Sequence, residues 1–449
     1  MPHSVLGLLQ RPARTLDILV YLLDKEEAKV SDVRAQLVLA KSTCHAAIQS
    51  LAKTGLIFQS EEIVGRRQTI IGLTVKGREV AEHLRPISES LENTVSALRS
   101  ELQSLEMKER TEAENKRMLE ILLACMDEEF TLGGWVEAES YGKRALDIAS
   151  ALGDSASVAR ALQRMGEVHF GKGIMDKAEG EFGESLLIRT RLGDLSGASE
   201  NRYFLGVIKE KKGDLQGALK DYQEAGRLAK ASEDDVLWAR ATLGIGRVRA
   251  NEGKYRESLK EFMASIDVFE KMDEVDELPR AYTCAGSSTF YLDADEAIGW
   301  HQKCIEISRR TGDLRMLGHG LSNMAGCFNK KKEPKKALQH LREAARIFKM
   351  LDEKDMLVGM NIQMGWAYSL EGKWTEAEHR FLMATDTARK YGFTYGLGDA
   401  LLNLGLMNIE LGRTQEARRQ LKEALGIFEG LDNQQKVNRV EEALRTVSQ

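Results

Sequence analysis

A chain of 449 residues, 43% hydrophobic and 30% charged, is a folded protein too long for one core. Its net charge of −5 gives no overall pull toward nucleic acid, and five prolines with 6% aromatic residues argue against an all-β chain and suit a helical one. No apolar run reaches about 18 residues, so no spanning helix and no membrane partner are expected. Met1-Pro2-His3-Ser4 lacks a signal-peptide pattern and Thr446-Val447-Ser448-Gln449 carries no lipidation motif. The five cysteines (Cys44, Cys125, Cys284, Cys304, Cys327) are odd in number and widely spaced. They read as buried, reduced packing residues of a cytoplasmic protein, without disulfides or metal.

The first 85 residues form one module. Residues 14–24 read as an amphipathic helix, and Ser31 caps a short second one to about Leu37. Ser42 caps a third, Thr43 to Lys53, whose apolar face is Ala47, Ile48 and Leu51 and which ends at Gly55. Leu56-Ile57-Phe58 starts a strand. Ile63-Val64 and Gln68 to Leu73 flank Gly65-Arg66-Arg67, a β-hairpin with a basic tip, and Lys76-Gly77-Arg78 opens a fourth helix with Val80, Ala81 and Leu84 on one face.

Three segments, Ala40 to Ile57, Gly65-Arg66-Arg67 and Gly72-Leu73-Thr74-Val75-Lys76-Gly77-Arg78, resemble the winged helix-turn-helix domain of MarR-like transcription regulators. That family commonly has an acidic residue before the paired arginines, where this chain has Gly65. The resemblance implies that the third helix enters the major groove of double-stranded DNA. Lys41, Ser42, Thr43, His45 and Gln49 then lie on the reading face, with Gln49 suited to adenine and Ser42 and Thr43 to phosphates. Arg66 and Arg67 on the wing, and Lys76, add minor-groove or phosphate contacts. Residues 1–85 hold twelve Lys+Arg against nine Asp+Glu, a balance of +3 that leaves −8 on the rest. This modest footprint keeps a second reading open, in which the winged helix binds protein and the whole chain is an interaction scaffold.

Residues 86–118 connect the module to the remainder of the chain. Leu91, Val95, Leu98, Leu102 and Leu105 keep a 4-3-4-3 spacing, one apolar stripe on a long helix. It is either a dimerisation helix, making a homodimer as in MarR-like regulators, or a helix packed within its own chain on the winged helix.

From residue 119 the sequence repeats. Small residues recur at Ala138, Ala178, Ala218, Ser258, Ala297, Ala337, Ala377 and Ala417, and seven positions later at Ala145, Ser185, Ala225, Ser265, Cys304, Ala344, Ala384 and Ala424. Glycine keeps the same rhythm at Gly166, Gly206, Gly246, Gly286, Gly326, Gly365 and Gly405. The interval is 40 residues with a single 39 in each series. Such a period means stacked helical hairpins, helix A then helix B, with the small residues allowing close approach. A bulky slot falls at Phe182, Tyr222, Phe262, Leu341, Phe381 and Leu421, and an apolar slot at Ile148, Ile188, Leu228, Val268, Ile307, Ile347 and Ile427. Leu-Gly-Asp at 192–194 ends one unit, and its aspartate can cap the next helix. Residues 433–449 break the rhythm as a capping helix.

The pattern resembles the tetratricopeptide repeat (TPR) in a 40-residue variety. The fold class is mainly α: a winged helix (1–85), a connector (86–118) and a right-handed α-solenoid of about eight TPR-like hairpins (119–432), then the cap. The resemblance implies a concave face lined by helix A that holds a peptide or protein partner. Helix-A phase puts Gln163, Glu167, Tyr203, Arg240, Arg247, Arg280, Phe290, Asn323, Lys330, Trp366 and Asn403 on that face, and its arginines and lysine favour an acidic or carboxylate-bearing ligand. No phosphate loop, zinc-binding His-Glu-x-x-His, Cys-x-x-Cys or Gly-x-Ser-x-Gly elbow occurs, so no enzyme, metal or cofactor is expected. His301 falls in a packing slot. The expected function is a sequence-specific DNA-binding transcription regulator whose array binds a modulating peptide or protein.

Overall fold

The computed structural model describes residues 111–447 except position 133, three N-terminal strands, and individual positions between 18 and 105. It divides into two compact units, Met1–Glu277 and Leu278–Gln449.

The first unit opens with a small antiparallel sheet of β1 (Glu27–Lys29), β2 (Ile57–Val64) and β3 (Arg66–Leu73), in the order β1-β3-β2. Glu27 pairs with Gly72, and Val64 and Ile63 pair with Arg66 and Arg67. The hairpin is where the sequence predicts it, but the second strand begins at Arg66 rather than Gln68. β1 is an addition: three residues are too few for an alternating pattern to register. Ile18, Leu22, Val33, Ile48, Leu51, Ile57, Ile71 and Ala81 are buried together, joining positions from all four predicted helices to the sheet. The predicted face residues Ala47, Val80 and Leu84 lie outside the described residues.

Helix α1 (Glu112–Leu132) starts the array and α2 (Trp135–Ala151) completes its first hairpin. Leu102 of the connector is buried with Met118, Leu122, Cys125, Ala145 and Ala149, and Arg117 donates to Glu101 at 2.9 Å. The end of the connector stripe therefore packs within its own chain, against the array. Further hairpins continue the first unit: α3 (Ser155–Gly171) with α4 (Met175–Leu192), α5 (Leu195–Lys211) with α6 (Leu215–Ala231), and α7 (Asp235–Asn251) with α8 (Tyr255–Lys271).

The second unit holds α9 (Leu278–Leu292) with α10 (Ala294–Thr311), α11 (Leu314–Lys330) with α12 (Pro334–Met350), α13 (Lys354–Leu370) with α14 (Trp374–Tyr391), and α15 (Thr394–Glu410) with α16 (Thr414–Gly430). The closing helix is α17 (Gln434–Thr446). The odd-numbered helices are the A helices. Within each unit successive A helices touch, as α5 with α7 and α13 with α15, so the A side is the inner side of the stack.

Every small residue of both series is fully buried, which explains the rhythm. The glycine series has a sharper cause. A Cβ at Gly166 would stand 2.9 Å from the Phe182 ring, one at Gly206 2.8 Å from Tyr222, and one at Gly365 2.5 Å from Phe381. Helix A thus lies directly on the ring of its own helix B. His301 takes the ring's place under Gly286, and Met126, standing where the first glycine would be, is itself buried. The apolar slot is buried at Leu228, Ile307 and Ile347 but only half-buried at Ile148, Ile188, Val268 and Ile427, and the next position holds fully buried Phe269, Phe348 and Phe428.

Aspartates close the units. The Asp194 carboxylate accepts from Gly197 N at 2.9 Å, and Asp154, Asp214, Asp234 and Asp313 cap α3, α6, α7 and α11 likewise. Cys125, Cys304 and Cys327 are buried and Cys284 is half-buried, and burial raises the Cys327 thiol to about 11. Among the described residues no helix is long and apolar enough to cross a membrane.

Candidate functional site

On the A side of the first unit, side chains bridge successive helices at one recurring separation. Arg164 Nε donates to Asp127 at 2.7 Å, Gln163 Nε2 to Glu200 at 2.6 Å, and Arg247 Nη2 to Glu210 at 2.7 Å. Arg240 Nε donates to Glu277 at 2.8 Å, and all four pairs are 37 positions apart. Three fewer than the 40-residue period is about one helical turn, so the first three bonds each link a residue to its neighbour one A helix along, a turn lower, while Arg240 reaches the turn that follows α8.

The Arg247 link is reinforced. The Tyr222 hydroxyl donates to Glu210 at 2.7 Å and accepts from Arg247 at 2.8 Å. Burial, with Glu210 adjacent, raises the phenol well above its ordinary range. Tyr203 is buried against the same ring at 5.8 Å between centroids. Glu167 is buried, accepts from Gln163 and Arg164, and burial raises its carboxyl. Gln163, Tyr203, Arg240 and Arg247 thus sit on the predicted face, but each is engaged by its own chain.

In the second unit Arg280 is exposed on α9 and Asn323 half-buried on α11. Lys330, Trp366 and Asn403 come together, with Phe290, in one cleft of about 970 Å³. The cleft lies between the C-terminal halves of α9, α11, α13 and α15 and is closed by α17. Its size falls within the range of ligand pockets. Trp366 is 45% exposed, as is Leu370 at 43%. Lys330 Nζ donates to the Phe290 carbonyl and stands 4.5 Å from the centre of that ring. Asn403 is buried and donates to the Asp399 carbonyl at 2.7 Å. On the cleft wall, buried Asn329 donates to the Gln363 carbonyl at 3.2 Å while its Oδ1 accepts nothing.

Lys332, Glu410, Arg439 and Glu442 line the cleft without having been predicted. Glu410 is the last residue of α15, and Arg439 and Glu442 belong to the closing helix α17, which leaves the repeat rhythm. Of the DNA-facing candidates, Arg66 and Arg67 are the first two positions of β3. Lys41, Ser42, Thr43, His45, Gln49 and Lys76 lie outside the described residues.

Comparison with known proteins agrees with this layout. Residues 15–85 match the family model of a winged helix DNA-binding domain, and residues 256–449 that of soluble NSF attachment protein, SNAP. No curated protein matches the sequence. A signal-transduction ATPase with numerous domains and a tetratricopeptide repeat sensor, from Pyrococcus horikoshii, superposes with a TM-score of 0.56 at 14% identity, over 97% of this chain and 66% of that one. The apo form of RapI gives 0.51 at 13% identity, over 61% of this chain and 98% of that one. A Rap protein complexed with Competence and Sporulation Factor gives 0.50 at 14%, over 74% and 98%. At such identities these structures share the fold. The chain is a winged-helix DNA-binding domain joined to a TPR-like array of helical hairpins.

Proposed function

We propose that this chain is a sequence-specific DNA-binding transcription regulator whose TPR-like array receives a peptide or protein partner that modulates it. The winged-helix match over residues 15–85 is the observation that carries this function. The cleft of the second unit, where Phe290, Lys330, Trp366 and Asn403 of the predicted partner face meet, supports the sensor role. One structural neighbour, a Rap protein, is complexed with Competence and Sporulation Factor, which fits an array of this kind holding a partner. The function belongs in the cytoplasm with the DNA, and it asks no catalytic step of the chain.

The test is selection of bound sequences from random duplexes with the full chain, then titration of the enriched duplex at several salt concentrations. The expected result is an enriched motif, with binding that weakens steeply as salt rises through counterion release. A homodimer predicts two half-sites in that motif. Recovery of no motif would leave the scaffold reading, in which the winged helix binds protein.

A further inference from the structure

The charges around the cleft differ between its ends: two cations at one, two carboxylates and one cation at the other. At one end α11 brings Lys330, with Lys332 just beyond it. At the other, Glu410 ends α15 and Glu442 lies on α17, one turn after Arg439. Trp366 and Leu370, both on α13, expose apolar surface on the wall.

The cleft opens where the bridging pattern of the first unit fails. There, Glu210 stands four positions after its glycine and Arg247 one position after the next, and the two close on each other. The same two positions in the second unit are Lys330, four after Gly326, and Trp366, one after Gly365. A lysine replaces the acid and a tryptophan the arginine. Among the described residues no carboxylate pairs with Lys330, Lys332 or Arg439, and no cation pairs with Glu410 or Glu442.

Lys332 has a second peculiarity. It occupies a turn position with φ +57°, which nine described turns fill with glycine and others with Asp273, Asp352 and Asp432. A long side chain in left-handed backbone is unfavourable, and such positions persist where something else requires them. Glu233 is the one other long side chain in that slot among the described residues.

We propose that the cleft takes a short peptide in a single direction. This rests on the partner-binding function above and adds the chemistry of the ligand's two ends. The peptide's carboxyl end lies at Lys330 and Lys332, an apolar side chain packs on Trp366 and Leu370, and its amino end lies at Glu410 and Glu442. Arg439 offsets one of those carboxylates, so the carboxyl end is the more strongly held. The ligand's carboxylate supplies the acid that the second unit lacks.

The experiment uses the immobilised full chain and three pools of random heptapeptides: free ends, amidated carboxyl ends, and acetylated amino ends. Retained peptides are identified by mass spectrometry. The free-ended pool should yield peptides with an apolar centre, and amidation should reduce retention at least tenfold, acetylation less. K332E should lose acid-ended peptides at least tenfold and gain peptides ending in lysine amide. Lys332 makes no bond like that of Lys330 to Phe290, so this variant keeps the α9–α11 contact intact. Equal retention of all three pools, or K332E and K330E binding like the parent, overturns the assigned direction alone. Retention of no pool by a chain that still selects a duplex overturns both the direction and the peptide partner.

Discussion

Arg247 and Glu210 are 37 positions apart and joined by a 2.7 Å bond between two successive A helices, with the Tyr222 hydroxyl completing a triangle. Their side chains are 20% and 15% exposed. Two charges this sheltered are costly to separate, because the survivor is left without a partner. Glu210→Ala should lower the stability of the first unit by about 3 kcal/mol. Glu210→Leu with Arg247→Met should recover at least half, since neither charge then remains. Urea unfolding of the parent, Glu210→Leu, Arg247→Met and the double variant, with Glu210→Ala beside them, measures it. Additive losses would show that the two residues act separately.

The glycine series makes two predictions of opposite sign. A Cβ at Gly365 meets the Phe381 ring at 2.5 Å, so Gly365→Ala overpacks α13 on α14 and should cost about 1–3 kcal/mol. A Cβ at Gly326 meets only Gln363 Oε1, at 3.7 Å. Gly326→Ala should therefore gain roughly 0.5–1 kcal/mol from helix propensity in α11. Thermal unfolding of both variants decides, and two losses of equal size would refute the ring contact as the cause.

His301 fills a ring position beneath Gly286 with 1% exposure, and its Nδ1 has no hydrogen-bond partner. Burial lowers its pKa to about 4. The folded value lies below the unfolded one, so the unfolded chain takes up this proton first. Stability is therefore fully present above about pH 6.5, falls as pH drops toward 4, and loses on the order of 3 kcal/mol over that window. His301→Phe should unfold with less pH dependence than the parent between pH 7 and 4.5. Parallel curves for the two chains would mean that other groups carry the acid sensitivity.

The array was legible because its cause is steric and local. Ala178, Ser185 and Gly166 must be small wherever two helices touch, and that requirement repeats with the period. Helix-A phase put Gln163, Arg240 and Arg247 on the A side, where the structure has them bonded to their own chain. It could not say what they meet, because a bond such as Arg247 to Glu210 depends on a neighbouring helix rather than on the residue's own period. The arginines read as a ligand's counter-charges are largely bridges between helices. The cleft was partly legible, through Lys330, Trp366 and Asn403. Its other end was not, since Arg439 and Glu442 come from α17, which leaves the repeat. β1 was missed because Glu27-Ala28-Lys29 is a strand only by virtue of pairing with β3.

The wing supplies the last prediction. Arg66 and Arg67 open β3 opposite Val64 and Ile63, inside the hairpin ladder rather than in its turn. Successive positions of a strand belong to opposite faces of the sheet. The two arginines are therefore not equivalent, although the sequence presents them as a pair. On the enriched duplex, one of Arg66→Ala and Arg67→Ala should weaken binding by roughly tenfold and the other by much less. A lost phosphate contact lowers the slope of log affinity against log salt by about 0.9 and weakens all duplexes alike, leaving the selected motif unchanged. Equal effects of the two substitutions would place both arginines beyond the ladder. A change in the selected motif would instead make the affected arginine a reader of bases.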